Sequence, residues 1–136
     1  MSRILVVEDS FSMRAFVRSA LEIGGSGLED VEVVEASSGF DALRLLPRGP
    51  YDLVITDVNM PDINGLELVR FMRQYSQHRT TPVLLISTQT SDRDQRRGLA
   101  VGANGYLAKP FSPESLREEV VRHLSGQATE PTEPNG

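Results

Sequence analysis

The sequence predicts an α/β protein in which five parallel strands form one sheet with helices on both faces. Five short apolar runs, rich in Val and Ile, recur at fairly even spacing and are continuous rather than alternating, as in strands buried on both faces. A segment with helical periodicity follows each run, so strand and helix alternate five times. The length of 136 residues suits one domain with a single core. The prediction is a (βα)5 three-layer sandwich.

The predicted strands share an apolar composition and cover residues 4–7, 31–34, 53–56, 83–86 and 106–108. The first helix follows Ser10, a good N-cap residue, and its apolar stripe begins at Met13. We expect Arg14 on this helix to be solvated. The second helix is short and is ended by Pro47, which cannot continue a helix.

The last three helices also have recognisable ends. The third follows Asn64, and the fourth covers 92–101, with acidic residues in its first turn and Gly102 past its end. The fifth begins after Ser112, where Pro and Glu follow in helix-starting positions.

We expect a single domain over residues 1–125 and a disordered tail over 126–136, which is rich in Pro, Thr and Glu. The segment 24–27 reads Gly-Gly-Ser-Gly and predicts a flexible connection between the first helix and the second strand.

The composition argues against several classes of protein. The net charge of −5 disfavours a non-specific nucleic-acid binder, and the absence of cysteine excludes a disulfide framework or a cysteine metal site. The apolar runs are too short for a membrane span or a signal peptide, so we expect a cytoplasmic protein. His78 and His123 have polar sequence neighbours, and we expect both on the surface.

Lys109 is the single lysine of the chain, since every other Lys or Arg position is Arg. It stands at the predicted end of the fifth strand, not on a helix face. Arginine carries a bulky planar fork, whereas lysine carries a compact charge on a thin stem. A site that needs a narrow cation beside a phosphoryl oxygen would favour lysine.

Polar residues also end the other predicted strands: Glu8 and Asp9 the first, Asp57 the third and Ser87 the fourth. Ligands of open parallel sheets bind at the carboxyl ends of the strands, so we expect these side chains to converge with Lys109. Two like charges about 4 Å apart repel by about 4 kcal/mol at an effective dielectric of about 20. The cluster should therefore protonate a carboxyl group or bind a hard divalent cation, and oxygen ligands favour Mg²⁺ over Zn²⁺.

Asp57 is the best candidate for a nucleophile toward phosphorus. It follows a continuous apolar strand, which fixes its backbone, and a turn-forming segment after it exposes its tip. A carboxylate beside Mg²⁺ and a lysine can form an aspartyl-phosphate. Asp57 alone would suit a common turn or N-cap role, and the set of strand-end residues is what favours chemistry.

Five segments resemble, in order, the receiver domain of two-component response regulators, and most closely its single-domain chemotaxis (CheY-like) type. They are 6–10 (VVEDS), 55–61 (ITDVNMP), 64–68 (NGLEL), 86–88 (IST) and 102–111 (GANGYLAKPF). The resemblance spans residues 3 to about 125. It implies a flavodoxin-like fold with strand order 2-1-3-4-5, for which this family is a standard example.

The resemblance assigns chemical roles at the strand ends. Asp57 would accept a phosphoryl group from a histidine kinase or a phosphotransfer protein. Asp9 and Asp57 would bind Mg²⁺ through carboxylates and Asn59 through its backbone carbonyl, with Glu8 acting through water. Lys109 would contact the phosphoryl oxygens, and its bond to the following proline is typically cis in the family.

The resemblance also implies a switch. Ser87 would turn its hydroxyl onto the new phosphate, and Tyr106 would turn inward into the space this leaves. The face formed by the fourth helix, fifth strand and fifth helix would then bind a downstream output protein. We expect no nucleic-acid or membrane partner and no enzymatic turnover beyond self-catalysed phosphoryl acceptance and slow autodephosphorylation.

Three other functions have to be weighed. A haloacid-dehalogenase-type phosphatase also uses a strand-end Asp, but it needs a second carboxylate where this chain has Asn59. A nucleotide-binding module would need a Gly-rich phosphate loop after the first strand, and the sequence there does not resemble one. A degenerate receiver that only binds proteins would not need the acidic residues, Ser87 and Lys109.

Overall fold

The computed structural model describes residues 2–23 and 28–125. Strands and helices alternate as predicted: β1 Ser2–Val7, α1 Phe11–Glu22, β2 Val31–Ala36, α2 Gly39–Leu45, β3 Leu53–Asp57, α3 Gly65–Gln74, β4 Val83–Ser87, α4 Asp92–Ala100, β5 Gly105–Ala108 and α5 Pro113–Leu124. Short 3-10 turns cover Leu46–Arg48 and Ser76–His78. The predicted flexible connection 24–27 and disordered tail 126–136 lie outside the described residues.

The five strands form one parallel sheet in the order β2-β1-β3-β4-β5, which confirms the predicted fold. One core lies between the sheet and helices α1 and α5, and the other lies on the opposite face with α2 and α3. Central strands β3 and β4 are buried along their whole length, as their continuous apolar sequence predicts. No helix within the described ranges is both long and apolar enough to span a bilayer.

The helix starts agree with their sequence signals. Ser10 and Ser112 cap α1 and α5, each accepting a hydrogen bond from a backbone N–H in the first turn. Asn64 forms a capping box with Glu67 at the start of α3. Pro47 ends α2 by diverting the chain into a 3-10 turn.

The prediction that both histidines are surface residues is wrong. His78 is fully buried and His123 is 3% exposed. The His78 ring stacks between Tyr51 and Tyr75, and its Nε2 lies 2.6 Å from the carbonyl oxygen of Leu46. Because a carbonyl only accepts, Nε2 carries the proton. The polar sequence neighbours of His78 suggested exposure, but Leu46 and Tyr51, which help to bury its ring, are far from it in the sequence.

Candidate functional site

The carboxyl edge of the sheet collects the polar residues that end the strands. Glu8 and Asp9 follow β1, and Asp57 is the last residue of the adjacent strand β3. Ser87 ends β4, and Lys109 follows β5. Because these strands are parallel and in register, their ends meet at one edge, at the point between β1 and β3 where the strand order reverses.

Lys109 lies between two carboxylates. Its Nζ is 3.1 Å from Oε1 of Glu8 and 3.3 Å from Oδ2 of Asp57. The side chains of Glu8 and Asp57 are 1% and 7% exposed, and that of Lys109 is 15% exposed. The peptide bond between Lys109 and Pro110 is cis, as the family resemblance implies. One ammonium group therefore bridges two buried acids that reach it from different strands.

The pKa of Lys109 reflects this position. Burial acts to lower the pKa of the ammonium group, but attraction by Asp57 and Glu8 outweighs it, so the pKa lies above its ordinary value. Lys109 is thus held in its charged form, as required of a group that is to stabilise anionic oxygens.

Glu8 is the most deeply buried acid of the cluster. Burial raises the pKa of its carboxyl group, and the Asp57 carboxylate raises it further, while the Ser10 N–H and Lys109 act in the opposite direction. Ser10 N donates to Oε2 of Glu8 over 3.1 Å. Burial is the largest of these effects and is the main reason that the pKa of Glu8 is raised.

The acidic residues fit a hard divalent cation. Glu8, Asp9 and Asp57 each offer a carboxylate oxygen within 4.8 Å of the others. Asp9 is exposed, so water has access to one side of the cluster. An all-oxygen donor set with room for water suits Mg²⁺, and the unbalanced negative charge would favour its binding.

Hydrogen bonds to β4 and to α3 fix the backbone next to Asp57. The N–H of the next residue, Val58, donates to the Ile86 carbonyl of β4, and the Val58 carbonyl accepts from Gly65 N, the first residue of α3, over 2.8 Å. Asn59 N donates to Oδ1 of Asp57 over 3.4 Å. The predicted role of the Asn59 carbonyl as a metal ligand stays a prediction.

Gln89 connects the two predicted switch residues. Its N–H donates to Oγ of the fully buried Ser87 over 2.9 Å, and its carbonyl accepts from the Tyr106 hydroxyl over 2.6 Å. Tyr106 is partly exposed. A single residue of the β4–α4 loop therefore joins the strand-end hydroxyl to the aromatic ring on β5. Nothing in the sequence indicated this link, because it is made by backbone atoms.

Arg14 belongs to the site, and the expectation that it is solvated is wrong. Its side chain is 15% exposed, its Nη1 donates to the Glu8 carbonyl oxygen over 2.8 Å, and its Nε donates to Oε1 of Glu35 over 3.1 Å. Its guanidinium also lies over the Phe11 ring. Glu35 is on β2, and this distant partner is why the local sequence did not reveal the role. Arg14 holds the backbone from which the Glu8 carboxyl projects.

Replacing Arg14 by Met is expected to weaken Mg²⁺ binding about tenfold, since groups that orient metal ligands typically contribute 10- to 100-fold. Isothermal titration calorimetry measures this directly. Arg18→Met is the matched control, because Arg18 also pairs with Glu35 but donates to Val33 O and not to Glu8. Equal losses in both variants would assign the effect to packing of α1 and contradict a role of Arg14 in positioning Glu8.

The comparisons with known families, proteins and structures agree with one another. A family model described as "Response regulator receiver domain" matches residues 4–121. A "Probable transcriptional regulatory protein" of Picosynechococcus is 43% identical over an alignment of 128 positions that covers 89% of this chain and 47% of the relative. The chain thus spans about half the length of that relative. A "Chemotaxis protein CheY homolog" of Campylobacter jejuni is 34% identical over 119 residues, covering 87% of this chain and 88% of the relative.

A solved structure shows the same likeness. The structure described as "Chemotaxis response regulator CheY4 of Vibrio cholerae" has a TM-score of 0.82 and 40% sequence identity, and covers 90% of this chain and 98% of that chain.

Proposed function

The chain belongs to the receiver domain family of two-component response regulators and is CheY-like, and from this premise we propose that it is a switch that Asp57 turns on by accepting a phosphoryl group from a histidine kinase or a phosphotransfer protein. The observation that carries the proposal is the position of Lys109, whose Nζ lies 3.1 Å from Glu8 and 3.3 Å from Asp57. A carboxylate held beside a fixed ammonium group is arranged to attack phosphorus.

In the transfer step, an Asp57 carboxylate oxygen forms a bond to phosphorus as the bond between phosphorus and the donor's imidazole nitrogen breaks. The imidazole leaves with the electron pair of the broken bond. Lys109 is charged and within reach of Asp57, so it would stabilise the negative charge on the transferred oxygens. Mg²⁺, held by Asp9, Asp57 and the Asn59 carbonyl with Glu8 acting through water, would supply further positive charge to those oxygens.

The response would pass through the Ser87–Gln89–Tyr106 connection. If the Ser87 hydroxyl turns toward a phosphoryl group on Asp57, Gln89 N loses its acceptor, and the loop that accepts from the Tyr106 hydroxyl must rearrange. The face formed by α4, β5 and α5 would change and bind a downstream protein. The protein would act in the cytoplasm, without contacting nucleic acid, and would show no turnover beyond slow loss of its own phosphoryl group.

Exposure to acetyl phosphate and Mg²⁺, followed by intact-mass measurement, tests the proposal. We expect one labile phosphoryl adduct on the wild type and none on Asp57→Asn. Asp52→Asn is the matched control: Asp52 is exposed and accepts from Arg3 N, outside the cluster, so the adduct should form as in the wild type. An equal adduct on Asp57→Asn would contradict the assignment. Catalytic hydrolysis of added phosphate esters would favour a phosphatase instead.

A further inference from the structure

Gly98 lies at the centre of the contact between α4 and the sheet. It is the sole buried residue of α4, every residue of which lies within the described range. The side chains nearest to it are those of Leu85 and Tyr106, which are register partners on the neighbouring strands β4 and β5. The fourth helix therefore packs on the sheet through a residue that has no side chain.

The space at Gly98 is already filled by its neighbours. A Cβ atom at this position would lie 2.8 Å from Leu85 Cδ1 and 3.1 and 3.2 Å from Tyr106 Cδ2 and Cε2. Carbon atoms pack best at about 3.5–4.0 Å. A single added methyl group would therefore displace Leu85, the Tyr106 ring or the helix.

The two neighbours differ in how easily they can yield. Leu85 is fully buried and belongs to the core between the sheet and helices α2 and α3. Tyr106 packs at the edge of that core and is partly exposed, so its ring can turn toward solvent. Turning the ring would break the 2.6 Å hydrogen bond from the Tyr106 hydroxyl to the Gln89 carbonyl. The methyl group would thus act on the link between Ser87 and Tyr106.

We propose that Gly98 is a positioning residue of the switch. Because it has no side chain, the Tyr106 ring can pack directly against α4, and this contact couples the Ser87 loop to the surface of α4 and β5. Glycine is among the poorest residues for a helix interior, so its presence in α4 calls for a packing reason. The contact with Leu85 and Tyr106 supplies that reason. The inference rests on the proposed switch function and names the residue that determines how strongly Tyr106 responds.

The test is fluorine NMR of protein labelled with fluorotyrosine. The chain has three tyrosines, and Tyr106→Phe assigns the relevant resonance. In Gly98→Ala without phosphorylation, we expect the Tyr106 resonance to move while those of Tyr51 and Tyr75 stay in place. We also expect the change in the Tyr106 resonance on addition of acetyl phosphate and Mg²⁺ to fall about fivefold or more relative to the wild type. An unmoved Tyr106 resonance in the unphosphorylated variant overturns the inference.

The outcomes for Gly98 and for the proposed function are separable. Intact-mass measurement should show the same phosphoryl adduct on the wild type and on Gly98→Ala, because Gly98 does not contact the acidic cluster. Absence of the adduct on the wild type would overturn the proposed function, while the resonance of the unphosphorylated variant would still decide the role of Gly98.

Two further measurements exclude general effects on the helix. Ala100→Gly changes helix propensity at an exposed position of α4 and should leave the Tyr106 resonance unchanged. A shift as large as that of Gly98→Ala would overturn the inference. In the wild type, a nuclear Overhauser contact between the Gly98 α-protons and the Tyr106 ring should be present. Its absence would overturn the inference even if the variant did not fold.

Discussion

Replacing Lys109 by Met is expected to slow phosphorylation of Asp57 by acetyl phosphate by about 10²- to 10³-fold, as is usual when one fixed group that stabilises a transition state is removed. The variant keeps the length of the side chain and loses its charge. The Glu8 and Asp57 carboxylates then face each other in a largely buried pocket without the cation that separates them. The rate is measured by intact mass against time.

The same change should lower the free energy of unfolding by about 3 kcal/mol at neutral pH without Mg²⁺, because removing one partner leaves buried charge unpaired. The sign of the pH dependence follows from the pKa shifts. The pKa of Glu8 is raised by burial and rises further without Lys109, so its protonated form is favoured by folding and the variant recovers stability as the pH falls. The pKa of Lys109 is raised in the folded protein. Its stabilising contribution in the wild type is therefore present at pH values below the pKa of the unfolded state and disappears as the pH rises through the pKa of the folded state.

Urea unfolding in EDTA at about pH 5, 7 and 10 measures this difference, which should be similar at pH 7 and 10, where Lys109 is still charged, and smaller at pH 5. Lys109→Arg is the matched variant, because it keeps the charge and changes its shape. We expect it to retain most of the stability but not the phosphorylation rate, since the wider guanidinium does not fit the space of a narrow ammonium group. A normal rate in Lys109→Arg would show that charge alone is needed.

Much of the fold and the position of the site could be predicted because both depend on short-range patterns. Continuous apolar runs mark strands that are covered on both faces, and the residue after such a run must lie at the carboxyl edge of a parallel sheet. That is why Glu8, Asp9, Asp57 and Lys109 could be placed together before their distances were known. The strand order, in contrast, came from the family resemblance, since no local pattern decides which strands are neighbours.

What could not be predicted depends on contacts between distant segments. Arg14 looked like an ordinary helix arginine because Glu35, its partner, is 21 positions away. His78 looked like a surface residue because its partners Leu46 and Tyr51 come from the other side of β3 in the chain. Gln89 joins Ser87 to Tyr106 through its backbone, which carries no sequence signal. The roles assigned to Ser87, Tyr106 and Asn59 stay predictions.

Replacing Gly65 by Ala is expected to impair the site by crowding the backbone of Asp57 and Val58. A Cβ atom on this first residue of α3 would lie 2.4 Å from the Asp57 carbonyl oxygen and 3.0 Å from Val58 Cα. Both contacts are with backbone, and the Gly65 N–H donates to the Val58 carbonyl, so no flexible side chain can yield. Either α3 moves away from the sheet or the end of β3 moves with Asp57. Crowding of this kind costs about 2 kcal/mol, more than the gain of up to about 1 kcal/mol from replacing glycine in a helix.

The expected functional effect of Gly65→Ala is larger than its effect on stability. A shift of about 1 Å in a reacting group can lower a rate about 10²-fold, so phosphorylation by acetyl phosphate should slow by that order while Mg²⁺ binding also weakens. Gly102→Ala is the control: Gly102 has a φ of 117°, which alanine tolerates poorly, and it lies between α4 and β5 at the opposite edge of the sheet. It should lower the melting temperature as Gly65→Ala does and keep the phosphorylation rate. A wild-type rate in Gly65→Ala would mean that the backbone of Asp57 does not need this close approach of α3, and that the geometry of the acceptor is held by the sheet alone.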